Sequence, residues 1–167
     1  MVILDTNALV LFFGKRLSAE DNLRMQGLFL DLRKKRESIG IPAQVWAEFL
    51  DQAGSSEISA TQNIFKSNAF RLLPYDLRAA METVEVVKAG RSARKSVKGE
   101  KRPRHSVKVD WQIIAVAKAN GARLLITNDG DMRLEAERSD VRCMCIGDLP
   151  IPDHLRQHDL DLGKADR

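Results

Sequence analysis

Apolar residues along the chain fall into short continuous runs separated by longer stretches where they recur every three or four positions. Val2-Ile3-Leu4 predicts a buried strand, continued by apolar Ala8 to Phe13 and stopped by Gly14. Ser18 followed by Asp21 has the spacing of a helix cap, and Leu23, Leu28 and Leu32 carry that helix to about Lys35. Ser38 to Ile41 predicts a second strand. Pro42 suits the first turn of a helix running through Gln44 to Leu50, which Gly54-Ser55-Ser56 breaks. A further helix is expected over 59–66, and a strand over Phe70 to Leu73, closed by Pro74. Asp76 can cap a helix from Leu77 to Ala89 that Gly90 terminates. Periodicity then fades, and 91–108 reads as a loop. Ser106 starts the next helix, which ends at Asn120-Gly121. Strand Arg123 to Thr127, an Asn-Asp-Gly-Asp turn, a short helix from Met132 to Glu137 and a last strand from Val141 to Ile146 complete the pattern.

Strands alternating with helices imply an α/β fold with a parallel sheet covered on both faces. Ligand sites of such sheets form at the carboxyl ends of the strands. The reading is one domain, 1–147, with a polar C-terminal tail over 148–167 that is frayed from Asp153 onward.

Composition adds limits. A chain of 167 residues with 44% hydrophobic and 30% charged content suits one globular domain with its own core. No apolar run approaches a membrane span, so no membrane partner is expected. The start lacks the basic and long apolar regions of a signal peptide, and a cytoplasmic location is the expectation. Cys143 and Cys145 provide no disulfide framework and read as small apolar fillers on one side of a strand. Charge is uneven. Residues 91–108 carry eight cations (Arg91, Arg94, Lys95, Lys98, Lys101, Arg102, Arg104 and Lys108) against Glu100, a net of +7; the whole chain is +4, so the remainder is −3. A basic segment on a mildly acidic body suggests a handle for a polyanion, although a solvated charge run has the same appearance. His105 within it reads as a surface contact.

Four acids fall where such a fold can gather them. Asp5 ends the first strand and Asp129 ends a late one. Glu48 shares a helix face with Val45 and Gln52. Asp110 precedes Ile113, Ile114 and Ala117 at helical spacing, and so opens the buried stripe of its helix. Asp131, across Gly130 from Asp129, reads as an auxiliary. Each acid has a bland explanation: Asp5 as a helix cap, Glu48 as an interface edge, Asp110 as a first-turn acid and Asp129 or Asp131 as turn chemistry. Together they describe a pocket of carboxylates that repel one another and resist desolvation unless a hard divalent cation joins them.

Leu4-Asp5-Thr6-Asn7 resembles the opening of PIN-domain nucleases. So does Asp110 followed by Ile113-Ile114-Ala115-Val116-Ala117, Gly121 and Leu125-Ile126-Thr127-Asn128-Asp129, and Glu48 falls where that family has its second acid. The resemblance covers 1–147. It implies a three-layer α/β/α fold with a central, mainly parallel sheet, and endoribonuclease activity with Mg²⁺ or Mn²⁺. The family includes VapC-like toxins, often dimeric, so RNA, a cognate antitoxin and a second copy are the implied partners. Met132 stands where an aromatic often follows the last acids, and the basic segment is longer than in compact VapC-like toxins.

On this reading Asp5, Glu48, Asp110 and Asp129 hold one or two ions, with Asp131 auxiliary, while Asn7 and Thr127 orient the carboxylates from behind. The ions lower the pKa of a bound water and neutralise charge on the phosphate. Aromatics are only 5% of residues, so phosphate contacts from 91–108 outrank base stacking. A haloacid-dehalogenase-like phosphatase also begins with Asp after strand one, but needs a second Asp where this chain has Asn7. The alternative is a PIN-like module that binds RNA or protein with weak or no catalysis.

Overall fold

The computed structural model describes residues 1–54, 58, 64–95 and 104–156, with the backbone alone at 91–95, 104–106, 154 and 156. In chain order the elements are β1 (Val2–Leu4), α1 (Thr6–Phe13), α2 (Ala19–Lys35), β2 (Ile39–Pro42), α3 (Ala43–Gln52), β3 (Phe70–Leu73), α4 (Leu77–Lys95), α5 (Arg104–Ala119), β4 (Leu124–Ile126), α6 (Gly130–Arg138), β5 (Cys143–Met144) and α7 (Asp153–Arg156). Single 3₁₀ turns lie at Ile64–Lys66 and Ile146–Asp148.

The strands form one parallel sheet in the order β3-β2-β1-β4-β5. Val2, Ile3 and Leu4 in the central strand are fully buried, as are Leu125 and Ile126 beside them. Burial on both faces is why these strands are continuous apolar runs without alternation. Right-handed crossovers put α1, α2 and α3 on one face of that order, and α4, α5 and α6 on the other. The three-layer α/β/α architecture expected from the sequence is therefore present. Phe12 and Phe13 of α1, Phe29 of α2, Phe49 of α3 and Phe70 of β3 interlock in the first helical layer, with ring centroids 5.0–6.0 Å apart.

Several element ends differ from expectation, each for a local reason. The apolar stretch after Asp5 is a helix: the Asp5 carboxylate caps it by accepting from Ala8 N at 2.7 Å, so the chain turns as soon as the strand ends. Gly90 does not stop α4, which runs on to Lys95. A Cβ at Gly90 would lie 2.5 Å from Glu135 Oε2 and 2.8 Å from Trp111 Nε1, so this glycine serves close packing of α4 against α5 and α6. The expected loop over 91–108 is helical at both ends, in α4 through Lys95 and in α5 from Arg104; 96–103 lie outside the described residues. Of the helix expected over 59–66, the turn at Ile64–Lys66 is described, and 59–63 lie outside. The last strand shortens to Cys143–Met144, because Asn128 Oδ1 takes the Ile146 N–H at 3.1 Å and turns the chain there. Past residue 147, Leu149 is buried, its carbonyl accepts from Arg24 Nη1, and Pro152 packs against Gly27 of α2. Among the described residues no helix is long and apolar enough to cross a membrane.

Candidate functional site

In the order β3-β2-β1-β4-β5 the chain's winding reverses between β1 and β4. Helices leaving these two strands diverge to opposite faces, which opens a crevice at their carboxyl ends. Asp5 and Asp129 lie there. Asp5 N donates to Ile126 O at 3.0 Å, which ties the end of β1 to the end of β4. Asp129 is the N-cap of α6, its Oδ1 accepting from Asp131 N at 2.8 Å and Met132 N at 3.0 Å.

Glu48 reaches the crevice from the middle of α3, whose Val45 and Phe49 are buried. Asp110 reaches it from α5, one position before buried Trp111. The result is one cleft of about 220 Å³ lined by Asp5, Thr6, Asn7, Glu48, Asp110 and Asp129, with Val109, Ile113 and Met132 as its apolar wall. All four principal acids expected from the sequence, and Asn7, thus line one space. Thr127 is buried just behind it. Asp131 is exposed and is not among the lining residues. Of the basic residues expected to meet a polyanion, Lys108 is exposed near the start of α5. Arg91, Arg94, Lys95 and Arg104 fall on described backbone at the ends of α4 and α5, while Lys98, Lys101 and Arg102 lie outside the described residues.

Hydroxyl groups fix two of the carboxylates. The Thr127 hydroxyl donates to Asp5 Oδ2 and accepts from Asp129 N at 3.0 Å, so one side chain links the two strand-end acids. Thr6 donates to Glu48 Oε2. The sequence reading missed Thr6; its only signal was a hydroxyl next to Asp5. It also missed the pair beneath Asp110, where Trp111 Nε1 donates to buried Glu135 Oε2 at 2.9 Å and pins α5 to α6.

Electrostatic strain is visible at Asp5. Burial pushes its pKa up to about 6; hydrogen bonds from Thr127 and Ala8 pull it down, and the charges of Asp129 and Asp110 push it up. Among the described residues, no three His, Cys, Asp or Glu side chains are gathered closely enough to hold one ion as they stand. The donor chemistry nevertheless fits a hard dication: every charged lining group is a carboxylate, and the cleft has room for an ion with its water.

A doubly wound parallel sheet with acids at its switch point defines the class. The PIN domain family model matches residues 2–136, and the chain belongs to that family. Among solved structures, the DNA-bound VapBC of Salmonella typhimurium is similar with a TM-score of 0.60 and 17% identity, over 87% of this chain and 97% of that one. VapBC2 of Rickettsia felis, bound to a DNA fragment from its promoter, gives 0.57 and 19%, over 87% and 98%. VapBC-1 of nontypeable Haemophilus influenzae gives 0.60 and 13%, over 88% and 99%. At these identities the likeness is one of fold. No curated protein matches the chain.

Proposed function

We propose that the chain is a divalent-metal-dependent endoribonuclease acting as the toxin of a toxin–antitoxin pair. The observation that carries this reading is the single cleft lined by Asp5, Glu48, Asp110 and Asp129 at the switch point of the sheet. Membership of the PIN domain family supports the nuclease class. The VapBC complexes among the structural neighbours support a cognate antitoxin as a partner.

Asp5, Glu48, Asp110 and Asp129 would hold Mg²⁺ or Mn²⁺. The bound metal would supply a water of lowered pKa and offset negative charge on the scissile phosphate. The chain's own residues do the positioning. Thr127 holds Asp5 in one orientation, and the amino end of α6 holds Asp129. Thr6 holds Glu48 by a hydrogen bond to Oε2. Val109, Ile113 and Met132 keep one wall dry, which strengthens every charge interaction in the cleft.

The test is cleavage of a panel of single-stranded and structured RNAs with Mg²⁺ or Mn²⁺, with Asp5→Asn as control. Metal-dependent cleavage by the intact chain that Asp5→Asn abolishes supports the reading; equal cleavage by Asp5→Asn points to a contaminant. The second reading, a binding module without turnover, is favoured by the carboxylates not yet converging on one point. RNA binding without cleavage under every metal condition would establish it.

A further inference from the structure

The sheet has a second recess, at the end opposite the acids. It is an open cleft of about 630 Å³ between the end of α2, the turn at Ile64–Lys66 and edge strand β3. Arg36 and Arg71 line it, with Ser38 and Asn68 as neutral hydrogen-bonding groups. The lining Ser67 hydroxyl is engaged with Ile64 O at 2.8 Å. Phe65 and Phe70 form its apolar floor, and both are anchored: Phe65 lies edge-on to Trp46 at 4.8 Å, and Phe70 lies 5.9 Å from Phe13.

The charges are available. Neither Arg36 nor Arg71 has an ion pair or a side-chain hydrogen bond among the described residues, and both are exposed. The acids nearest in sequence are occupied elsewhere: Asp31 by Lys35 and Arg123, Glu37 by Arg123 and the N-terminal amine. Arg33 and Lys34 extend the positive surface along the last turn of α2. Arg36 itself ends that helix in the left-handed conformation, φ 54° and ψ 35°, where glycine or asparagine is the favoured residue. The fold thus carries a bulky cation at a backbone position that disfavours it.

We propose that this recess binds the phosphate backbone of a nucleic-acid strand, independently of the acid cleft. Two guanidiniums with no ion pair among the described residues, set beside neutral donors, match phosphate oxygens in shape and charge. A rigid aromatic floor suits a sugar or a base. Ser38 precedes β2 and Arg71 lies near the start of β3, so four-residue strands, about 13 Å long, separate the recess from the carboxyl ends where the acids lie. A strand can therefore be held here without entering the acid cleft.

Fluorescence anisotropy with a labelled single-stranded oligoribonucleotide in EDTA measures binding with no metal and no turnover. Arg36→Ala/Arg71→Ala should weaken affinity about tenfold and reduce the slope of log K against log salt by about 1.4, the value for two lost phosphate contacts. The charge-matched control Arg78→Ala/Arg142→Ala should do neither. Arg36→Gly removes the guanidinium while giving the helix end its favoured residue, so it should bind more weakly yet melt no lower than the intact chain. Equal loss in both double variants would overturn the proposal, as would no RNA binding by the intact chain. Displacement of RNA by polyglutamate as readily as by unlabelled RNA would overturn it in favour of an acidic protein segment. Displacement by millimolar inorganic phosphate alone would overturn it in favour of a small anion. Failure of the cleavage assay would leave these outcomes unaffected.

Discussion

At the carboxyl ends of β1 and β4 the charged groups are acidic, drawn inward and mutually repulsive. In the recess at the amino ends of β2 and β3 they are basic, exposed and without an ion pair among the described residues. Asp5 is 3% exposed, and its pKa rises to about 6 because burial and neighbouring acids oppose its charge. Arg36 and Arg71 keep their water, so their charge costs the fold little, and the left-handed backbone at Arg36 is the local penalty. A like-charge cluster built around one buried carboxylate is a demand for a counter-ion. An exposed one is an offer to a polyanion, and screening by salt should distinguish them.

The largest effect should come from breaking the acid end. Asp110→Asn keeps the side-chain size and should lower the metal-dependent cleavage rate at least about 100-fold, since removing one preorganised electrostatic group at a reaction centre costs that order. Initial rates at saturating Mn²⁺ check it. A melting temperature unchanged within a few degrees assigns the loss to chemistry.

Next is pH. Asp5 has a pKa of about 6 folded against 3.8 ordinarily. The folded state therefore holds that proton more tightly than the unfolded chain. Metal-free protein should lose stability as pH rises from about 4 to 6, by about 3 kcal/mol in full, and then level off. Asp31 and Glu37, whose pKa values are lowered by their Lys35 and Arg123 partners, act oppositely and at lower pH. The difference between intact and Asp5→Asn unfolding curves isolates the Asp5 contribution; a flat difference would remove the electrostatic contrast. Saturating Mn²⁺ should reverse its slope, because ions favour the ionised form.

A smaller break lies under Asp110. Trp111→Phe removes the indole N–H from buried Glu135 and should cost about 1–3 kcal/mol in urea unfolding. Gly90→Ala, which forces a methyl into the same junction, should cost a similar amount. The smallest change is at the basic end. Arg36→Gly should shift stability by less than about 1 kcal/mol, upward or not at all, since the gain at φ 54° is partly offset by glycine's greater unfolded freedom.

Strands β1, β2 and β4 were legible because a strand buried on both faces has to be an apolar run, and edge strand β3, with Arg71 and Leu72 exposed, because Pro74 closes it. The α2 start was legible because Ser18 caps Asp21 N as its spacing requires. Ala8 to Phe13 was misread as a strand's continuation, since a short apolar run looks the same in a buried helix. Gly90 was misread as a stop. Its lack of a side chain answers to Trp111 and Glu135, distant in sequence, which no local pattern contains.

What the sequence alone determined was the order of apolar runs and caps, hence the parallel α/β class, and the four acids that stand at strand ends or on buried helix faces. Tertiary structure alone decided the rest. It brought Asp5, Glu48, Asp110 and Asp129 to one cleft, gave Glu48 the Thr6 hydroxyl as its donor, and left Arg36 and Arg71 without an ion pair among the described residues. Periodicity is a local property, fixed by which side of an element is buried. Convergence depends on strand order, and the reversal of winding between β1 and β4 is a choice of the whole chain.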